Sequence, residues 1–580
     1  MRYSTLEKGS DGGVENKTTI NNVGETNGDS LVINGANDES LALAAAKKGN
    51  IFYFLWSSLS AWQRCVFICA FAFGMLSMLG VGILIGLAAR EDDAAQDGCN
   101  HPLEPARGWL LERLWHTTPV FCKEGEENEG ACGQRIGRLD EIRRNISSCK
   151  HPLAFNLRTY AHRGAALVAP EESLMGYKIA KESGAGFIEC DASVTKDGEL
   201  VCRHSTCDLH FTTDIIENHR NMLSRCSVPF QPSVNGSDAQ LMCCTYDFPL
   251  DELKKLCGIM ESTMNTSATT LDQFLLGPPG FRSNPLPSYG DPTSCQNLVA
   301  FREYLKYARK EGLNVIPELK DTGEPRVERF LRRELETDIY ALANEFSRQI
   351  LDHGFEPKVE ETDWNNVGKY GGITIMQTFD RRIASHWKRH ESSADIRVEF
   401  MWKSYRPKSV TNLTCTSLSD CGTFDILSGL AADGVDIFGP PIRLLVQNSS
   451  HHILEKSSAA EAYTNLIRSS SKRNKGREEG GATASMFPAL TSWSLERSGC
   501  DVERSSSSSS SASDLYSPQV QPAQIGPCGY YYDSVENAAV FSEPDVLLVL
   551  DVLFREVGII GLFSDFPASV STFVNCVLDK

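Results

Sequence analysis

The fold is decided by the stretch FIECDASVTKDGELVCRH, residues 187–204. It has the pattern of a short apolar strand interrupted by two carboxylates, Glu189 and Asp191, then a Lys-Asp-Gly turn and a second short strand. Because successive strand residues point to opposite faces, Glu189 and Asp191 share one face, and Ile188 and Cys190 share the other. Two carboxylates this close persist in a buried segment when a cation compensates them or when one stays protonated. Mg²⁺ and Ca²⁺ prefer oxygen ligands of this kind; the alternative left open by this stretch is a solvated hairpin edge.

Two other predicted strands end on polar groups that can carry chemistry. The segment YAHRGAALVAPEES ends its strand on His162 and Arg163, a pair that suits proton transfer beside an anion-binding guanidinium. The segment NVIPELK places Glu318 and Lys320 on one face, although Pro317 cannot donate to a sheet ladder and weakens the strand locally. Active sites of barrel enzymes gather where the strands end, so these groups are predicted to meet.

Short apolar strands alternate with helical segments from about Leu157 onward, which predicts a largely parallel α/β fold. The candidate strands are 157–163, 186–191, 200–204, 313–320, 372–379, 397–402, 434–438, 489–495 and 558–564. This number of strands suits an irregular (β/α)8 TIM barrel over 157–580 with large insertions. The link from Asp191 to Val201 is too short for a helical crossover, so the barrel is predicted to be irregular there.

Two insertions interrupt the predicted barrel. Residues 205–295 carry six cysteines and are predicted to form a disulfide-braced lobe. Residues 447–535 include a long serine run and are predicted to form a mostly disordered surface loop, interrupted by a strand near Trp493.

The segment Cys65–Ala89 has no charged residue and is long enough to span a bilayer, which predicts one transmembrane helix. The preceding residues 1–50 are polar and predicted to be a disordered cytosolic tail, and 91–155 follow as a juxtamembrane stretch. All but two of the 19 cysteines lie beyond the span. So do the Asn-x-Ser/Thr sequons at Asn145, Asn235, Asn265, Asn412 and Asn448. This distribution predicts a single-pass, type II membrane protein whose C-terminal domain is extracellular or lumenal.

The net charge of −18 argues against a nucleic-acid-binding protein, which would carry a basic face. A hydrophobic content of 41% and a charged content of 23% are typical of a globular protein. The composition therefore fits a soluble domain that faces water, and it says little about the substrate.

From about Leu157 to Cys576, the sequence resembles the glycerophosphodiester phosphodiesterases, metal-dependent TIM-barrel enzymes related to phosphoinositide phospholipase C. The resemblance rests on motifs in a fixed order: HRG at 162–164, PEES at 170–173, ECD at 189–191, TKDG at 195–198, RH at 203–204, ELK at 318–320, MQTFD at 376–380, WSLERSG at 493–499 and FSDFP at 563–567. Two positions depart from the family pattern. Glu172 stands where the family has Asn or His, and Ser205 stands where it has Asp.

The resemblance implies a role for each matching residue. One divalent cation, Mg²⁺ or Ca²⁺, would be held by Glu189, Asp191 and Glu318. The acid and base would be His162 and His204, in an order that the sequence leaves open. The phosphate would contact Arg163 and Lys320, and the further pocket candidates are Gln377, Trp493 and Asp565. The implied reaction is hydrolysis of glycerophosphodiesters to glycerol 3-phosphate and an alcohol by a membrane-anchored ectoenzyme.

Two alternatives remain open at this level. The same fold could act on lysolipids, as a lysophospholipase D-type enzyme, or on sphingolipids, and the membrane anchor favours such substrates. A non-catalytic cell-surface binding ectodomain is the other alternative, which the departures at Glu172 and Ser205 favour.

Overall fold

The computed structural model describes residues 130–278, 294–355, 372–402, 423–448, 454–474, 488–495 and 545–579. The predicted tail at 1–50, the predicted span at 65–89 and most of the stretch at 91–155 lie outside these ranges. Among the helices that the structure describes, none is long and apolar enough to cross a membrane.

The described strands are β1 (Asn156–Ala161), β2 (Ala185–Ile188), β3 (Asp191–Val194), β4 (Leu200–Cys202), β5 (Val228–Gln231), β6 (Gln240–Met242), β7 (Cys257–Gly258), β8 (Thr263–Met264), β9 (Leu275–Gly277), β10 (Gln296–Asn297), β11 (Asn314–Val315), β12 (Glu318–Leu319), β13 (Ile375–Thr378), β14 (Arg397–Met401), β15 (Ile437–Gly439), β16 (Val446–Asn448), β17 (Leu454–Lys456), β18 (Ala489–Leu495) and β19 (Gly561–Ser564). The α-helices are α1 (Gly130–Ser147), α2 (Leu174–Glu182), α3 (Leu209–Thr212), α4 (Ile215–Asn218), α5 (Leu250–Leu253), α6 (Phe301–Glu311), α7 (Pro325–Glu334), α8 (Ile339–Asp352), α9 (Arg381–Arg389), α10 (Thr423–Ala432), α11 (Ser458–Asn474), α12 (Asp545–Asp551) and α13 (Pro567–Phe573).

One sheet of eleven strands carries the fold, in the order β11-β2-β1-β19-β18-β15-β14-β13-β12-β3-β4. Two of its positions are each broken into two short strands, β2 with β3 and β11 with β12. Their halves pair with each other in parallel, and the last strand, β19, pairs in parallel with β1. The pairings therefore run around a ring of eight parallel positions, which confirms the predicted TIM-barrel class.

The two breaks lie at different kinds of residue. The first lies at Glu189 and Cys190, and the second lies at Ile316 and Pro317, where the sequence predicts a weakened strand. The predicted strand at 200–204 is not a barrel position, because β4 pairs antiparallel with β3 as a hairpin. The predicted irregularity between Asp191 and Val201 is thus confirmed.

Side chains alternate between the barrel interior and the outer layer as strand geometry requires. Phe187 packs in the interior cluster, whereas Ile188 and Cys190 pack in the core between the sheet and the helices. Glu189 and Asp191 therefore point inward, on the face that the sequence predicts.

Helix α6 illustrates how the outer layer forms. Its buried residues are Phe301, Tyr304, Leu305 and Ala308, which recur at the helical period and cover the sheet. The helix ends at Gly312, whose φ of +68° is the left-handed conformation that glycine adopts at a helix end.

Helix α1 belongs to the barrel domain, which was predicted to begin only at Leu157. Its buried apolar residues join the outer core, and they are Leu139, Ile142 and Ile146. The disulfide Cys149–Cys576 then joins the end of this segment to the last turns of the domain. The apolar stripe is narrow and lies among arginines, so its helical period is a weak signal in the sequence.

The lobe predicted at 205–295 is described by the structure apart from residues 279–293. It has its own hydrophobic core, which includes Phe248 and Phe274. All six cysteines pair within it, as Cys207–Cys244, Cys226–Cys243 and Cys257–Cys295.

The predicted disordered loop at 447–535 is wrong in part. Residues 454–474 form β17 and α11, and α11 buries Ala460 and Tyr463 in the outer core. The serine-rich, polar composition around these residues conceals their apolar face. The predicted strand near Trp493 is confirmed as β18.

Candidate active site

Three inward-pointing carboxylates meet at the mouth of the barrel, and we call Glu189, Asp191 and Glu318 the oxygen cluster. Each offers one oxygen such that all of these atoms lie within 4.8 Å of one another, and all three residues are buried. The register explains the convergence, because Glu318 on β12 is paired with Asp191 on β3. The break between β2 and β3 brings Glu189 to the same point.

The oxygen cluster lacks the positive charge needed to balance it. Within the described residues, neither side-chain oxygen of Asp191 accepts a hydrogen bond, although both are buried. The nearest cationic atoms are Nζ of Lys320, at 3.7 Å from Oδ1, and Nε of Arg163, at 3.8 Å from Oδ2. Buried carboxylate oxygens without donors are costly unless a cation compensates them. The residues therefore fit a hard divalent cation, which prefers three such oxygen ligands to nitrogen or sulfur.

The same crowding changes the acidity of the cluster. Burial, followed by the charge of Asp191, raises the pKa of Glu189 to about 7. Burial raises the pKa of Glu318 to about 8, against the opposing effect of Lys320. Lys320 donates to Glu318 Oε1 at 3.0 Å. The buried ammonium of Lys320 therefore lies close to two carboxylates, those of Glu318 and Asp191.

Gln377 bridges two carboxylates of the oxygen cluster. Its Nε2 donates to Glu189 Oε1 at 3.0 Å and to Glu318 Oε2 at 3.4 Å. This neutral donor contacts two of the carboxylates without supplying a charge.

His162 is paired with Asp565, although the two residues lie near opposite ends of the sequence of the domain. Nδ1 of His162 lies 2.6 Å from Oδ1 of Asp565, and both side chains are buried. The pairing follows from the barrel closure, because β19 ends next to β1. Burial and Arg163 lower the pKa of His162, but Glu189 and Asp565 outweigh them, and the pKa is raised to about 9.

His204 lies on the other side of Arg163. The guanidinium Nη2 of Arg163 is 2.7 Å from Nε2 of His204, so this ring nitrogen is the acceptor. The backbone N–H of Arg163 donates to Glu189 Oε2 at 2.8 Å, which ties the residue to the oxygen cluster. Arg163 adopts a φ of +51°, in the left-handed region that non-glycine residues rarely occupy. Such a conformation is typical of functional sites, where the surroundings hold it in place.

Behind Arg163 lies a second buried group, which we call the arginine network: Glu171, Arg203 and Asp208. Oε2 of Glu171 accepts from Nη1 of Arg163 at 3.1 Å, and its Oε1 accepts from Nη2 of Arg203 at 2.9 Å. Nε of Arg203 lies 3.8 Å from Oδ1 of Asp208. Arg203 is fully buried. Sequence reasoning assigned no role to these residues, because only the fold shows that they meet. The available signal was the charged Arg203 directly after the apolar strand β4.

The loop after His204 is held from both sides. The flanking cysteines form the disulfides Cys190–Cys202 and Cys207–Cys244, so Cys202 and Cys207 brace the loop. The departure at Ser205 is accommodated by Asp321, whose Oδ2 accepts from Ser205 Oγ at 3.3 Å. The same oxygen accepts from the backbone N–H of Thr206 at 2.8 Å.

The departure at Glu172 places a carboxyl group directly behind the oxygen cluster. Glu172 accepts from Tyr177 Oη at 2.6 Å and from the backbone N–H of Asp191 at 3.2 Å. Burial, followed by the charge of Asp191, raises its pKa well above the ordinary range. The extra carboxyl group is thus held by hydrogen bonds in the protein interior.

Aromatic side chains lie near Lys320. Its Nζ lies 5.8 Å from the ring centre of Phe379, which is edge-to-face with Trp493 at 5.3 Å. The indole N–H of Trp493 donates to the carbonyl of Gly439 at 2.9 Å. All ten predicted site residues therefore lie at one barrel mouth or in direct contact with a residue that does.

Glu399 is an inward-pointing carboxyl group that sequence reasoning missed. It is the register partner of Gln377 on the neighbouring strand, it is fully buried, and it is hydrogen-bonded to Thr491. Burial raises its pKa to about 8. The available signal was an acidic residue inside the apolar strand β14, the same signal that identifies Glu189.

Comparison with known proteins finds similarity to the family that the sequence motifs resemble. Residues 162–362 match the model of the glycerophosphoryl diester phosphodiesterase family. An extracellular protein of Arthroderma benhamiae is 24% identical over 313 residues, covering 54% of this chain and 97% of that protein. The glycerophosphodiester phosphodiesterase GDPD6 of Arabidopsis thaliana is 36% identical over 115 residues, covering 19% of this chain and 29% of that protein.

Among solved structures, an Oleispira antarctica phosphodiesterase in complex with the product sn-glycerol-3-phosphate is similar to this chain. The match has a TM-score of 0.35 and 13% sequence identity, and it covers 74% of this chain and 99% of that one.

Proposed function

We propose that this chain, whose residues 162–362 match the model of the glycerophosphoryl diester phosphodiesterase family, hydrolyses glycerophosphodiesters to glycerol 3-phosphate and an alcohol. The observation that carries the proposal is the oxygen cluster, with its unbalanced charge, beside the paired His162 and Asp565. A phosphodiester is an anion, so its hydrolysis needs positive charge and proton transfer at the same point.

Glu189, Asp191 and Glu318 would hold one divalent cation, Mg²⁺ or Ca²⁺. When bound, the cation would supply positive charge against the phosphoryl oxygens as negative charge builds on them. Arg163 and Lys320 flank the oxygen cluster and would contact the same oxygens.

The two histidines divide the proton transfers. Asp565 accepts from Nδ1 of His162, which keeps a proton on that atom and makes Nε2 the nitrogen that gives a proton to the leaving alkoxide. Nε2 of His204 carries a lone pair, because it accepts from Arg163. Movement of the guanidinium onto the substrate phosphate would let this lone pair accept the proton of the attacking oxygen.

We also propose that the domain works outside the cytosol, anchored by the predicted span at 65–89. The five disulfides among the described residues favour an oxidising compartment. The Arthroderma benhamiae protein to which the chain is similar is named as extracellular, which agrees with this location.

The test uses the full-length protein, with release of glycerol 3-phosphate from glycerophosphocholine as the readout. We expect turnover that EDTA abolishes and that Glu189→Gln lowers by roughly 10²–10³-fold, as does His162→Ala. The exposed Glu217 gives the matched control, because Glu217→Gln removes one acidic charge away from the site.

Three outcomes would change the proposal. Turnover that persists fully after EDTA treatment would remove the cation from it. Faster turnover of lysophosphatidylcholine than of glycerophosphocholine would change the substrate to a lysolipid. Absence of turnover with both substrates, from folded protein supplied with Mg²⁺ or Ca²⁺, would refute the activity.

A further inference from the structure

The tip of one hairpin in the disulfide-braced lobe carries a sequon, Asn235-Gly236-Ser237. The turn is closed by the N–H of Ser237, which donates to the carbonyl of Val234 at 3.0 Å. Asn235 and Gly236 have φ values of +52° and +83°, the combination that a type I′ turn requires at its two central residues. The turn therefore presents the Asn235 side chain at its outermost point.

The surroundings of this tip are open. Asn235 is exposed, and no described residue forms a hydrogen bond with its side chain. A Cβ atom placed on Gly236 would have no neighbour within 4 Å among the described residues. The adjacent Val234 is 54% exposed, so an apolar side chain also lies uncovered at the tip.

The other two sequons with described side chains differ from this one. Asn265 is half-buried, and its amide is already used: Nδ2 donates to the carbonyl of Gln273 at 3.1 Å, and Oδ1 accepts from the N–H of Ser267 at 3.0 Å. Asn145 is half-buried in the last turn of α1. Among the three sequons with described side chains, only the tip therefore combines exposure, an unused amide and open space.

We propose that Asn235 is a site of N-linked glycosylation and that Asn265 is not. The co-reactant is an oligosaccharide linked to a polyisoprenyl diphosphate. The bond from Asn235 Nδ2 to C1 of the first sugar forms, the bond from C1 to the diphosphate oxygen breaks, and the amide proton leaves with the diphosphate. The inference rests on the proposed location of the domain in an oxidising, glycosylating compartment.

A glycan at this position has a physical consequence. The hairpin that carries the tip contains the two-stranded sheet of β5 and β6, and short sheets with exposed edges can pair with other chains. A bulky, hydrated group beside Val234 would cover the apolar tip and oppose such pairing. Because the site is in the lobe and not among the proposed catalytic residues, turnover would not depend on it.

The experiment expresses the full-length chain in a eukaryotic cell and maps glycopeptides after peptide N-glycanase digestion in water labelled with heavy oxygen. We expect the label at residue 235, its loss in Asn235→Gln and in Ser237→Ala, and its retention in Ser237→Thr, which keeps the acceptor motif. Asn265→Gln is the matched control and should leave the glycan count unchanged. Hydrolysis of glycerophosphocholine should be the same for Asn235→Gln as for the wild type.

The oxidation state of Cys226 and Cys243 separates two kinds of failure. Unmodified Asn235 on chains with that disulfide formed would overturn the inference and leave the proposed location intact. Unmodified Asn235 with free thiols would overturn both. Label at Asn265 in place of Asn235 would also overturn it, as would an unlabelled aspartate at 235, which indicates spontaneous deamidation.

Discussion

The oxygen cluster and the arginine network are two buried acidic groups that meet at Arg163, and they differ in charge balance. In the arginine network Glu171 pairs with both Arg163 and Arg203, and Arg203 also lies beside Asp208. In the oxygen cluster three carboxylates share the Lys320 ammonium group, and Nε of Arg163 lies 3.8 Å from Oδ2 of Asp191. Asp191 nevertheless accepts no hydrogen bond from the described residues at either oxygen. Buried acidity alone therefore does not identify a functional site. The shortage of positive charge is the feature that supports the proposed cation site in the oxygen cluster.

The largest effect is expected in the arginine network. Arg203→Met removes a buried guanidinium and leaves Glu171 and Asp208 without it, which should lower the free energy of unfolding by about 3–5 kcal/mol. Denaturant unfolding measures this change. The control is Arg220→Met, because the ion pair of Arg220 with Asp272 is exposed and should contribute at most about 1 kcal/mol. Equal losses in the two variants would contradict the structural role of the arginine network.

The opposite behaviour is expected in the oxygen cluster. Asp191→Asn should lower turnover by roughly 10²–10³-fold. In EDTA it should leave the unfolding free energy unchanged or raise it, because the charge of Asp191 raises the pKa of both Glu189 and Glu318 and repels them. Asp251→Asn, at an exposed position in the lobe, is the matched control. A variant that keeps its activity but unfolds more easily in EDTA would assign Asp191 a structural role.

The sequence contains enough to predict the barrel and the oxygen cluster, because both depend on short-range alternation. Glu189 and Asp191 interrupt an apolar strand at a spacing of two, and Glu318 and Lys320 repeat that spacing on another strand. Alternation is a property of the strand itself, so it can be read without knowing which strands are neighbours. The break at Pro317 follows from the same local chemistry.

The rest of the site depends on contacts between distant parts of the chain. Asp565 lies 403 residues from its partner His162, and only the closure of the ring brings them together. Arg203 was visible as a charged residue, but its burial between Glu171 and Asp208 depends on the arrangement of three loops. Sequence patterns assign such residues to solvent by default, since arginine is rarely buried unless it is paired.

A third variant tests whether the disulfide beside the oxygen cluster supports cation binding. Cys190 lies between two residues of the oxygen cluster, and its bond to Cys202 fixes this segment against the strand that leads to His204. Replacing both cysteines with alanine should weaken Mg²⁺ or Ca²⁺ binding by roughly 10–100-fold, the usual effect of losing support behind metal ligands. Calorimetric titration of the full-length protein measures it.

The control for this variant is the pair Cys226 and Cys243, which closes a loop of the lobe and touches none of the cluster residues. Alanine at both positions should leave the cation affinity unchanged while lowering the stability of the lobe. Equal effects of the two double variants on cation affinity would show that Cys190–Cys202 acts only through general stability.

The smallest effect concerns a titratable group that the lobe keeps neutral by burial alone. His210 packs against Phe211 and Phe274, and its Nδ1 accepts the backbone N–H of Cys243 at 3.5 Å. Burial lowers its pKa from 6.5 to about 4. Below pH 6.5 the unfolded chain therefore binds a proton at His210 that the folded chain does not bind. The free energy of unfolding falls as the pH falls from 6.5 toward 4. By pH 5.5 the loss should be about 1.4 kcal/mol.

His210→Gln keeps an acceptor for the Cys243 N–H but cannot titrate, so its unfolding free energy should fall less between pH 7 and pH 5.5 than that of the wild type. The difference between the two slopes isolates His210 from the carboxylates at the barrel mouth, which titrate in both proteins. Identical slopes would mean that the ring is protonated without cost, and the core of the lobe would then be open to water at this point. A difference of the expected sign would show that the lobe excludes charge, whereas the oxygen cluster concentrates it.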